Sequence, residues 1–281
     1  IKNDGTLWVW GYNTLGNLGD GTVVPKSSPI QISGTSWNVI ACGQHHAAAI
    51  KTDGTLWAWG YNDYGQLGDG TIVSKSSPIQ ISGTSWSKIS CGVFHTTAIK
   101  NDGTLWVWGI NNYGQLGDGT PFSRSSPIQI PGTSWSKISC GYYHTAAIKN
   151  DGTLWVWGYN YYGQLGDGTI ATKSSPVQIP GTSWSKIACG IYHTAAIKND
   201  GTLWVWGYNN YGQLGDGTAV HKSSPIQIPG NTWNDIAYGQ HHAAAIKNDG
   251  TLWAWGYGGN GQIGDGTTVS KSSPIQIPGT S

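Results

Sequence analysis

Five histidines lie at one position of a sequence repeat and could together supply the imidazole ligands of a metal site. They are His46, His95, His144, His193 and His242, each 49 residues from the next. Imidazole binds zinc, copper and iron where several rings converge on one point. Because the position recurs in every complete copy of the repeat, we expect each histidine to be held within its own copy by backbone hydrogen bonds. The sequence therefore predicts no metal site from these residues.

The four cysteines, Cys42, Cys91, Cys140 and Cys189, follow the same 49-residue spacing. Zinc sites pair cysteines about two to four residues apart, and a disulfide needs Cα atoms within about 7 Å of each other. Neither arrangement fits residues that are spread over separate copies of a repeat. We expect small, buried side chains at this position, near the centre of the fold. Tyr238 replaces the cysteine in the fifth copy.

Each copy also contains the loop sequence Gly-Asp-Gly-Thr, whose aspartate could bind calcium. These aspartates are Asp20, Asp69, Asp118, Asp167, Asp216 and Asp265. A calcium site gathers several oxygen ligands, whereas each loop offers one carboxylate, so a turn-stabilising role is favoured. The chain has no glutamate and lacks the motifs of serine hydrolases, phosphate-binding loops and zinc proteases. We predict a protein that is not an enzyme and that needs no cofactor or metal.

Four short strands in each copy of the repeat must position these residues. The copies begin with Ile-Lys-Asn-Asp-Gly-Thr-Leu-Trp, or with Thr in place of Asn, at residues 1, 50, 99, 148, 197 and 246. One copy contains predicted strands at residues 184–190, 193–198, 202–207 and 224–228. The Asp-Gly pair before the third strand is typical of a tight hairpin turn. The 43 glycines and the absence of methionine and glutamate exclude a helical protein and predict an all-β fold.

The third strand is apolar on both of its faces. Leu203 and Val205 point to one side of the strand, and Trp204 and Trp206 point to the other. A strand that is buried on both faces needs a packed sheet on either side. Stacked blades provide this arrangement, and a period near 50 residues is typical of a β-propeller. The small residues of the first two strands suit the narrow region near a propeller axis.

The repeat resembles that of the regulator of chromosome condensation family. The combination GxxHTAAIKNDGTLWVWGxNxxGQLGDGT…SPIQI carries the resemblance over the whole chain. Asn17, Ile263 and Tyr238 are the departures from it. The resemblance implies a β-propeller whose blades each have four antiparallel strands. Regulation of a small GTPase by nucleotide exchange is also implied, but that activity depends on family-specific loops and an inserted wedge that these minimal repeats lack.

The phase of the repeat predicts a single propeller domain over residues 1–281 that contains one incomplete blade. Full blades are predicted at residues 37–85, 86–134, 135–183, 184–232 and 233–281, and residues 1–36 supply only the outer half of another. The ring could close with six blades, one of which lacks its inner strands. It could also belong to a longer array that closes with seven. Alternatively, the open strand edges could pair with another chain.

Differences between the copies concentrate in loops, and one set of loops predicts a binding surface. The residues that precede the repeated histidine form an aromatic arc of Val93, Phe94, Tyr142, Tyr143, Ile191 and Tyr192. Its predicted polar rim consists of Gln44, His45, Gln240 and His241. Aromatic patches with polar borders are typical of protein-binding surfaces.

Composition restricts the classes of partner that the chain could bind. Charged residues make up 10% of the chain and the net charge is +1, so no electrostatic feature favours nucleic acid. No apolar run approaches the roughly 18 residues of a membrane helix, and without any methionine we expect a piece of a longer polypeptide.

We predict a protein–protein interaction scaffold in a larger bacterial surface or secreted protein, with the cytoplasm as the other location because cysteines are unpaired. The partner is then a protein of unknown identity. The alternatives are a structural building block that associates with itself through the partial blade, and a GTPase regulator.

Overall fold

The computed structural model describes residues 1–279, and within them it contains β-strands and no helix. None of this range could therefore span a membrane as a helix. The chain divides into two compact units, the first covering Ile1–Ile138 and the second beginning at Ser139. The strands of the first unit are β1 (Leu7–Gly11), β2 (Lys26–Ile32), β3 (Trp37–Cys42), β4 (His46–Lys51), β5 (Leu56–Gly60), β6 (Lys75–Ile81), β7 (Trp86–Cys91), β8 (His95–Lys100), β9 (Leu105–Gly109) and β10 (Arg124–Ile130).

The division falls within the next strand, β11 (Trp135–Cys140). The remaining strands are β12 (His144–Lys149), β13 (Leu154–Gly158), β14 (Lys173–Ile179), β15 (Trp184–Cys189), β16 (His193–Lys198), β17 (Leu203–Gly207), β18 (Lys222–Ile228), β19 (Trp233–Tyr238), β20 (His242–Lys247), β21 (Leu252–Gly256) and β22 (Lys271–Gln276).

The strands form a series of antiparallel sheets in which consecutive strands are neighbours. Strands β3–β6, β7–β10, β11–β14, β15–β18 and β19–β22 form four-stranded sheets, and β1 and β2 form a two-stranded sheet. The predicted fold class is therefore confirmed, including the incomplete blade in residues 1–36. Residues 280 and 281, which end the last predicted blade, lie outside the described residues.

A tight turn fixes the register between the second and third strand of each sheet. Gly201 adopts a φ of 77°, which a residue with a Cβ atom rarely reaches. The Asp200 carboxylate accepts hydrogen bonds from the backbone N–H and the hydroxyl of Thr202, at 3.0 and 2.7 Å. With the turn closed in this way, Leu203 pairs with Ile197 and Gly207 pairs with His193.

The third strand is buried on both faces, as its sequence predicts. Leu203, Val205 and Trp206 are fully buried, and Trp204 is half-buried. On one face, Leu203 and Val205 join an apolar cluster with Trp233 and other residues of the following sheet. The tryptophans are thus part of the core, because each sheet packs against its neighbour.

In each four-stranded sheet, a lysine at the end of the second strand stacks over tryptophans of neighbouring strands. In β7–β10, the Trp86 ring packs edge-on against Trp106 and Trp108, with ring centroids 6.0 and 6.1 Å apart. The Lys100 ammonium lies 4.7 and 4.5 Å above the rings of Trp86 and Trp106. Aromatic pairs and cation–π contacts each contribute about 0.5–1.5 kcal/mol, so these repeated contacts stabilise the sheets substantially.

A buried asparagine organises the long loop between the third and fourth strands. The Asn111 amide donates to the Asp118 carboxylate at 3.0 Å and to the backbone carbonyls of Thr120 and Phe122 at 2.7 and 3.2 Å. Its carbonyl oxygen accepts from the Leu116 N–H at 2.9 Å. One fully buried side chain therefore supplies hydrogen-bond partners to several partly buried groups of the loop.

We predict that Asn111→Ala lowers the free energy of unfolding by about 3 kcal/mol, because it leaves several buried loop groups without partners. The adjacent Asn112 is exposed, so Asn112→Ala should change stability by less than about 0.5 kcal/mol. Urea unfolding followed by tryptophan fluorescence measures both values. Equal destabilisation by the two variants would contradict the role assigned to Asn111.

Candidate functional site

Two loops of each four-stranded sheet meet where the second strand begins and the third strand ends. The Tyr208 N–H donates to the Tyr192 carbonyl at 2.8 Å, immediately beyond the last strand pair, His193 and Gly207. Tyr159 donates in the same way to the Tyr143 carbonyl, also at 2.8 Å. The residue that precedes the repeated histidine therefore lies beside the first residue after the third strand.

In the second unit this arrangement brings nine tyrosines and two histidines into one continuous set of rings, which we call the tyrosine band. Its members are Tyr142, Tyr143, Tyr159, Tyr161, Tyr162, Tyr192, Tyr208, Tyr211, His221, His241 and Tyr257. Ring centroids are separated by 5.7 Å for Tyr142–Tyr192, 5.2 Å for Tyr162–Tyr192, 4.9 Å for Tyr162–Tyr208, 6.1 Å for Tyr208–His241 and 5.0 Å for Tyr211–Tyr257. The band thus links three consecutive sheets of this unit.

The first unit carries a smaller aromatic cluster of the same kind. Phe94 lies 5.1 Å from Tyr64 and 5.9 Å from Tyr61, measured between ring centroids. The His45 ring stacks on Phe94 at 6.2 Å and also approaches Tyr12 at 6.5 Å. Residues from the loops of three consecutive sheets therefore meet in this cluster.

The predicted arc residues all have partly accessible side chains. Val93 and Phe94 in the first unit, and Tyr142, Tyr143, Ile191 and Tyr192 in the second, are half-buried. Of the predicted polar rim, Gln44 and Gln240 are exposed. His45 and His241 instead stack among the aromatic rings of their own units. They belong to the clusters and do not border them.

Sequence comparison alone missed most of the band. Tyr159 and Tyr208 follow the third strand at a position that is tyrosine in five of the six copies, so they do not count among the differences between copies. Tyr162 and Tyr211 lie in the same loop at a position that does differ between copies, but the predicted arc takes only residues that precede the repeated histidine. The register of the hairpin between the second and third strands could have revealed these tyrosines. A tight turn at Asn199–Gly201 makes residues 193 and 207 partners, so residues 192 and 208 must be neighbours.

The band presents neutral hydroxyl groups on an aromatic surface. Burial raises the pKa of Tyr208, and burial also lowers the pKa values of His221 and His241. In the first unit, burial and a hydrogen bond to Asp63 raise the pKa of Tyr61 to about 12. At neutral pH these groups are therefore uncharged, and the tyrosine hydroxyls can both donate and accept hydrogen bonds.

The repeated histidines are structural, but their expected partners were wrong. The His46 Nε2 atom lies 2.9 Å from the hydroxyl of Thr96 in the following sheet, and that hydroxyl donates to the Gln66 carbonyl at 2.8 Å. His144 makes the same contact with Thr194 at 2.9 Å. The imidazole reaches the next sheet because the intervening strand residues are small.

His193 breaks this pattern. The residue that would offer it a hydroxyl is Ala243, and neither ring nitrogen of the fully buried His193 side chain has a hydrogen-bond partner. Tyr238, which replaces the repeat cysteine, packs edge-on against the His193 ring with centroids 4.2 Å apart. Its hydroxyl is buried and has no partner either. The alanine at position 243 thus removes one hydrogen bond between sheets, and Tyr238 supplies a ring contact to His193.

The cysteines and loop aspartates have mostly structural surroundings. Cys140 is buried and Cys91 and Cys189 are partly buried, but Cys42 is exposed, contrary to expectation, because the two-stranded sheet lacks the strands that cover its counterparts. The Asp69 carboxylate accepts hydrogen bonds from Thr71 and pairs with Lys75 at 3.5 Å. Within residues 1–279, no three His, Cys, Asp or Glu side chains are grouped so that they could hold a metal ion.

Comparison with known proteins assigns the family. The family model described as the RCC1-like domain matches residues 1–281. This chain belongs to the RCC1-like domain family. The predicted relationship to the regulator of chromosome condensation is therefore confirmed. No curated protein matches the chain.

Solved structures show the same fold at low sequence identity. Human WBSCR16 superposes on this RCC1-like domain with a TM-score of 0.86 and 22% identity, over 97% of this chain and 78% of that one. Prp20p from Saccharomyces cerevisiae gives a TM-score of 0.86 and 23% identity, over 99% of this chain and 74% of that one. A second structure, of yeast RCC1 (Prp20) with Kap60 bound, also gives 0.86, with 21% identity over 99% and 72% of the two chains.

We predict that His144 makes folding sensitive to mild acid. Burial lowers its pKa from 6.5 to about 3, so between these values the unfolded chain takes up a proton that the folded chain excludes. Stability is then fully present above pH 6.5 and falls, as the pH is lowered, by about 1.4 kcal/mol per pH unit for this group. His144→Gln should reduce the slope of unfolding free energy between pH 6.5 and 4.5 by about that amount. The two proteins should have equal slopes between pH 7.5 and 8.5, and equal slopes in the acid range would contradict the assignment.

We also predict that Ala243→Thr restores the missing contact to His193. The new hydroxyl could accept from the imidazole and donate to the Gln213 carbonyl, as Thr194 does with its own neighbours. Ala243→Val adds the same volume without the hydroxyl and is the matched control. The threonine variant should be more stable than the valine variant by about 1 kcal/mol in urea unfolding. A valine variant of equal or greater stability would contradict the prediction.

Proposed function

We propose that this RCC1-like domain is a non-catalytic protein-interaction module, and that the tyrosine band of the second unit takes the partner protein. The single observation that carries the proposal is the continuity of the band across three sheets. Interfaces are enriched in tyrosine, whose ring buries apolar area while its hydroxyl satisfies polar groups of a partner. Few rotatable bonds are immobilised when such a surface binds.

The exposure of the band also suits a partner protein. The Tyr161 ring is 64% exposed and Tyr211 is 40% exposed, so apolar surface remains in contact with water. Around them, Tyr162, Tyr192 and Tyr208 are half-buried and packed against one another. A rigid, half-buried centre with accessible edges is the arrangement in which a few residues supply most of the binding energy.

Regulation of a GTPase receives no specific support. One of the similar structures is described by its binding properties to Gsp1p and histones, and another has Kap60 bound. Those partners belong to the yeast protein, and identities of 21–23% extend the fold alone to this chain. A bacterial surface or secreted location stays part of the proposal, supported by the low charge and the richness in Gly, Ser, Thr and Asn.

Photo-crosslinking tests the proposed surface directly. Replacing Tyr161 with p-benzoylphenylalanine should give a covalent adduct to a discrete protein in an extract of the organism that carries the gene. The same replacement at Ile170, which is 65% exposed, lies nine residues further along the same loop and does not belong to the band, is the matched control. The adducts are identified by mass spectrometry. Adducts of equal yield and identity at both positions would contradict a specific surface at the band.

The protein identified in this way is then tested with a variant that carries Tyr162→Ser, Tyr192→Ser and Tyr208→Ser. We expect its affinity to fall by about 100-fold or more, because central aromatic residues contribute most to such interfaces. Titration calorimetry measures the affinity, and near-ultraviolet circular dichroism confirms that the variant is folded. Ile170→Ser should leave binding unchanged. Full affinity in a folded triple variant would exclude the band as the site.

A further inference from the structure

The tyrosine band carries no charged side chain at neutral pH. Its members are tyrosines, whose phenols ionise near pH 10, and two histidines whose pKa values are lowered by burial. Two lysines at the ends of the same loops, Lys173 and Lys222, pair with Asp167 and Asp216 at 3.2 and 3.4 Å. Phosphorylated and acidic segments are recognised by clusters of basic side chains, so the band does not suit a ligand of that kind.

The backbone of the band is also occupied by hydrogen bonds within the protein. The Tyr162 and Tyr211 N–H groups donate to glutamine side chains of their own loops, each at 3.0 Å. The Tyr208 N–H donates to the Tyr192 carbonyl at 2.8 Å. These groups are already satisfied, so strand addition, which needs free N–H and C=O groups along an edge, does not suit the band.

The hydroxyl group of Tyr208 retains a proton that it can donate to a ligand. The Asn210 amide hydrogen-bonds to this hydroxyl as a donor, so the hydroxyl oxygen is used as an acceptor. In the first unit, the equivalent Tyr61 hydroxyl hydrogen-bonds to the Asp63 carboxylate, which can only accept. The exchange of aspartate for asparagine at this loop position therefore keeps the tyrosine donor available in the band.

Neighbouring rings of the band are inclined to one another. The interplanar angle is 69° between Tyr162 and Tyr208, 47° between Tyr162 and Tyr192, and 62° between Tyr211 and Tyr257. The face of one ring therefore lies beside the edge of the next, and the two form a wedge-shaped cleft. A small, rigid, apolar ring of a ligand fits a cleft of this shape.

We propose that the tyrosine band binds a proline-rich segment of the partner protein in the polyproline II conformation. The inference rests on the proposed function and specifies the kind of segment that the band takes. The pyrrolidine rings of the segment pack into the clefts between tyrosine rings. Its backbone carbonyls accept hydrogen bonds from tyrosine hydroxyls such as that of Tyr208.

Proline suits this surface because of what its backbone lacks. A polyproline II segment has no internal hydrogen bonds, so its carbonyls are free to accept from the band. Proline has no N–H group, so no donor is removed from water without a new acceptor. The segment is also ordered before it binds, which lowers the entropic cost of docking on an aromatic surface.

The extent of the band matches a segment of about ten residues. A row of six rings runs through it in the order Tyr142, Tyr192, Tyr162, Tyr208, Tyr211 and Tyr257. Neighbouring centroids in this row are 4.9–6.2 Å apart. Ten residues of polyproline II extend about 31 Å, which is enough to follow the whole row.

Binding of a synthetic peptide tests the proposal. Fluorescein-labelled decaproline of L-residues is titrated into the 281-residue chain, and fluorescence anisotropy measures its affinity. We expect saturable binding of one peptide per chain. Decaproline of D-residues has the same composition but forms the mirror-image helix, and should bind at least about tenfold more weakly. Absence of binding, or equal affinity for the two peptides, overturns the proposal.

A pair of aspartate variants tests the hydrogen bond from Tyr208. Asn210→Asp places a carboxylate where the first unit has Asp63, so it takes the Tyr208 proton and should weaken decaproline binding about fivefold. Asn112→Asp adds the same charge at the corresponding exposed position of the first unit, outside the band, and should bind as the parent does. Equal affinity of the two variants overturns the proposed hydrogen bonding to the segment.

The triple serine variant of Tyr162, Tyr192 and Tyr208 separates this inference from the proposed function. Loss of both decaproline and the crosslinked protein supports both. If the variant loses the crosslinked protein but the parent does not bind decaproline, the proline-rich segment is overturned and the band remains the site. If the parent binds decaproline but the variant keeps full affinity for the crosslinked protein, the proposed function fails alone.

Discussion

The close approach of successive sheets depends on one carbonyl group in the loop that follows the third strand. In the first unit, the Gln66 carbonyl accepts hydrogen bonds from the Trp108 indole at 2.9 Å and from the Thr96 hydroxyl at 2.8 Å, both in the following sheet. The Gln164 carbonyl does the same for Trp206 and Thr194 in the second unit. A Cβ atom at Gly68 would stand 2.7 Å from the Trp108 ring, so glycine is required beside this contact. These hydrogen bonds hold the loop against the following sheet. The second strand has small residues because the two sheets lie close together.

Some copies of the repeat lack contacts that the other copies share, and these differences are specific to single positions of the chain. Ala243 and Tyr238 replace a threonine and a cysteine, and the His193 ring is left without a hydrogen-bond partner. Gly258 replaces the loop asparagine of the last copy. Its backbone N–H donates to the Ser270 hydroxyl at 3.1 Å, as the Asn111 N–H does to the Ser123 hydroxyl at 3.2 Å, but glycine offers none of the side-chain contacts of the asparagine. A repeat copies its stabilising contacts, so a lost contact indicates either relaxed constraint or a change of role at that copy.

The sequence predicted the fold in detail because the 49-residue period sets both the register and the two-sided burial of the third strand. It also predicted the half blade, since residues 1–36 contain no first or second strand. The partners of His46 and His144 could not be predicted, because they depend on how far apart neighbouring sheets lie. The tyrosine band was only partly predicted. The hairpin register makes residues 192 and 208 neighbours. Comparison of the copies selects only positions that vary, so it leaves out Tyr208, which is tyrosine in most copies.

The fixed core and the variable tyrosine band arise from opposite consequences of the same repeat. Buried positions such as Ala195 and Thr194 can scarcely vary, because the sheets leave no space for larger side chains. Loop ends such as Tyr192 can vary, and because each copy places its loop beside the next, aromatic residues in neighbouring copies join into a continuous band.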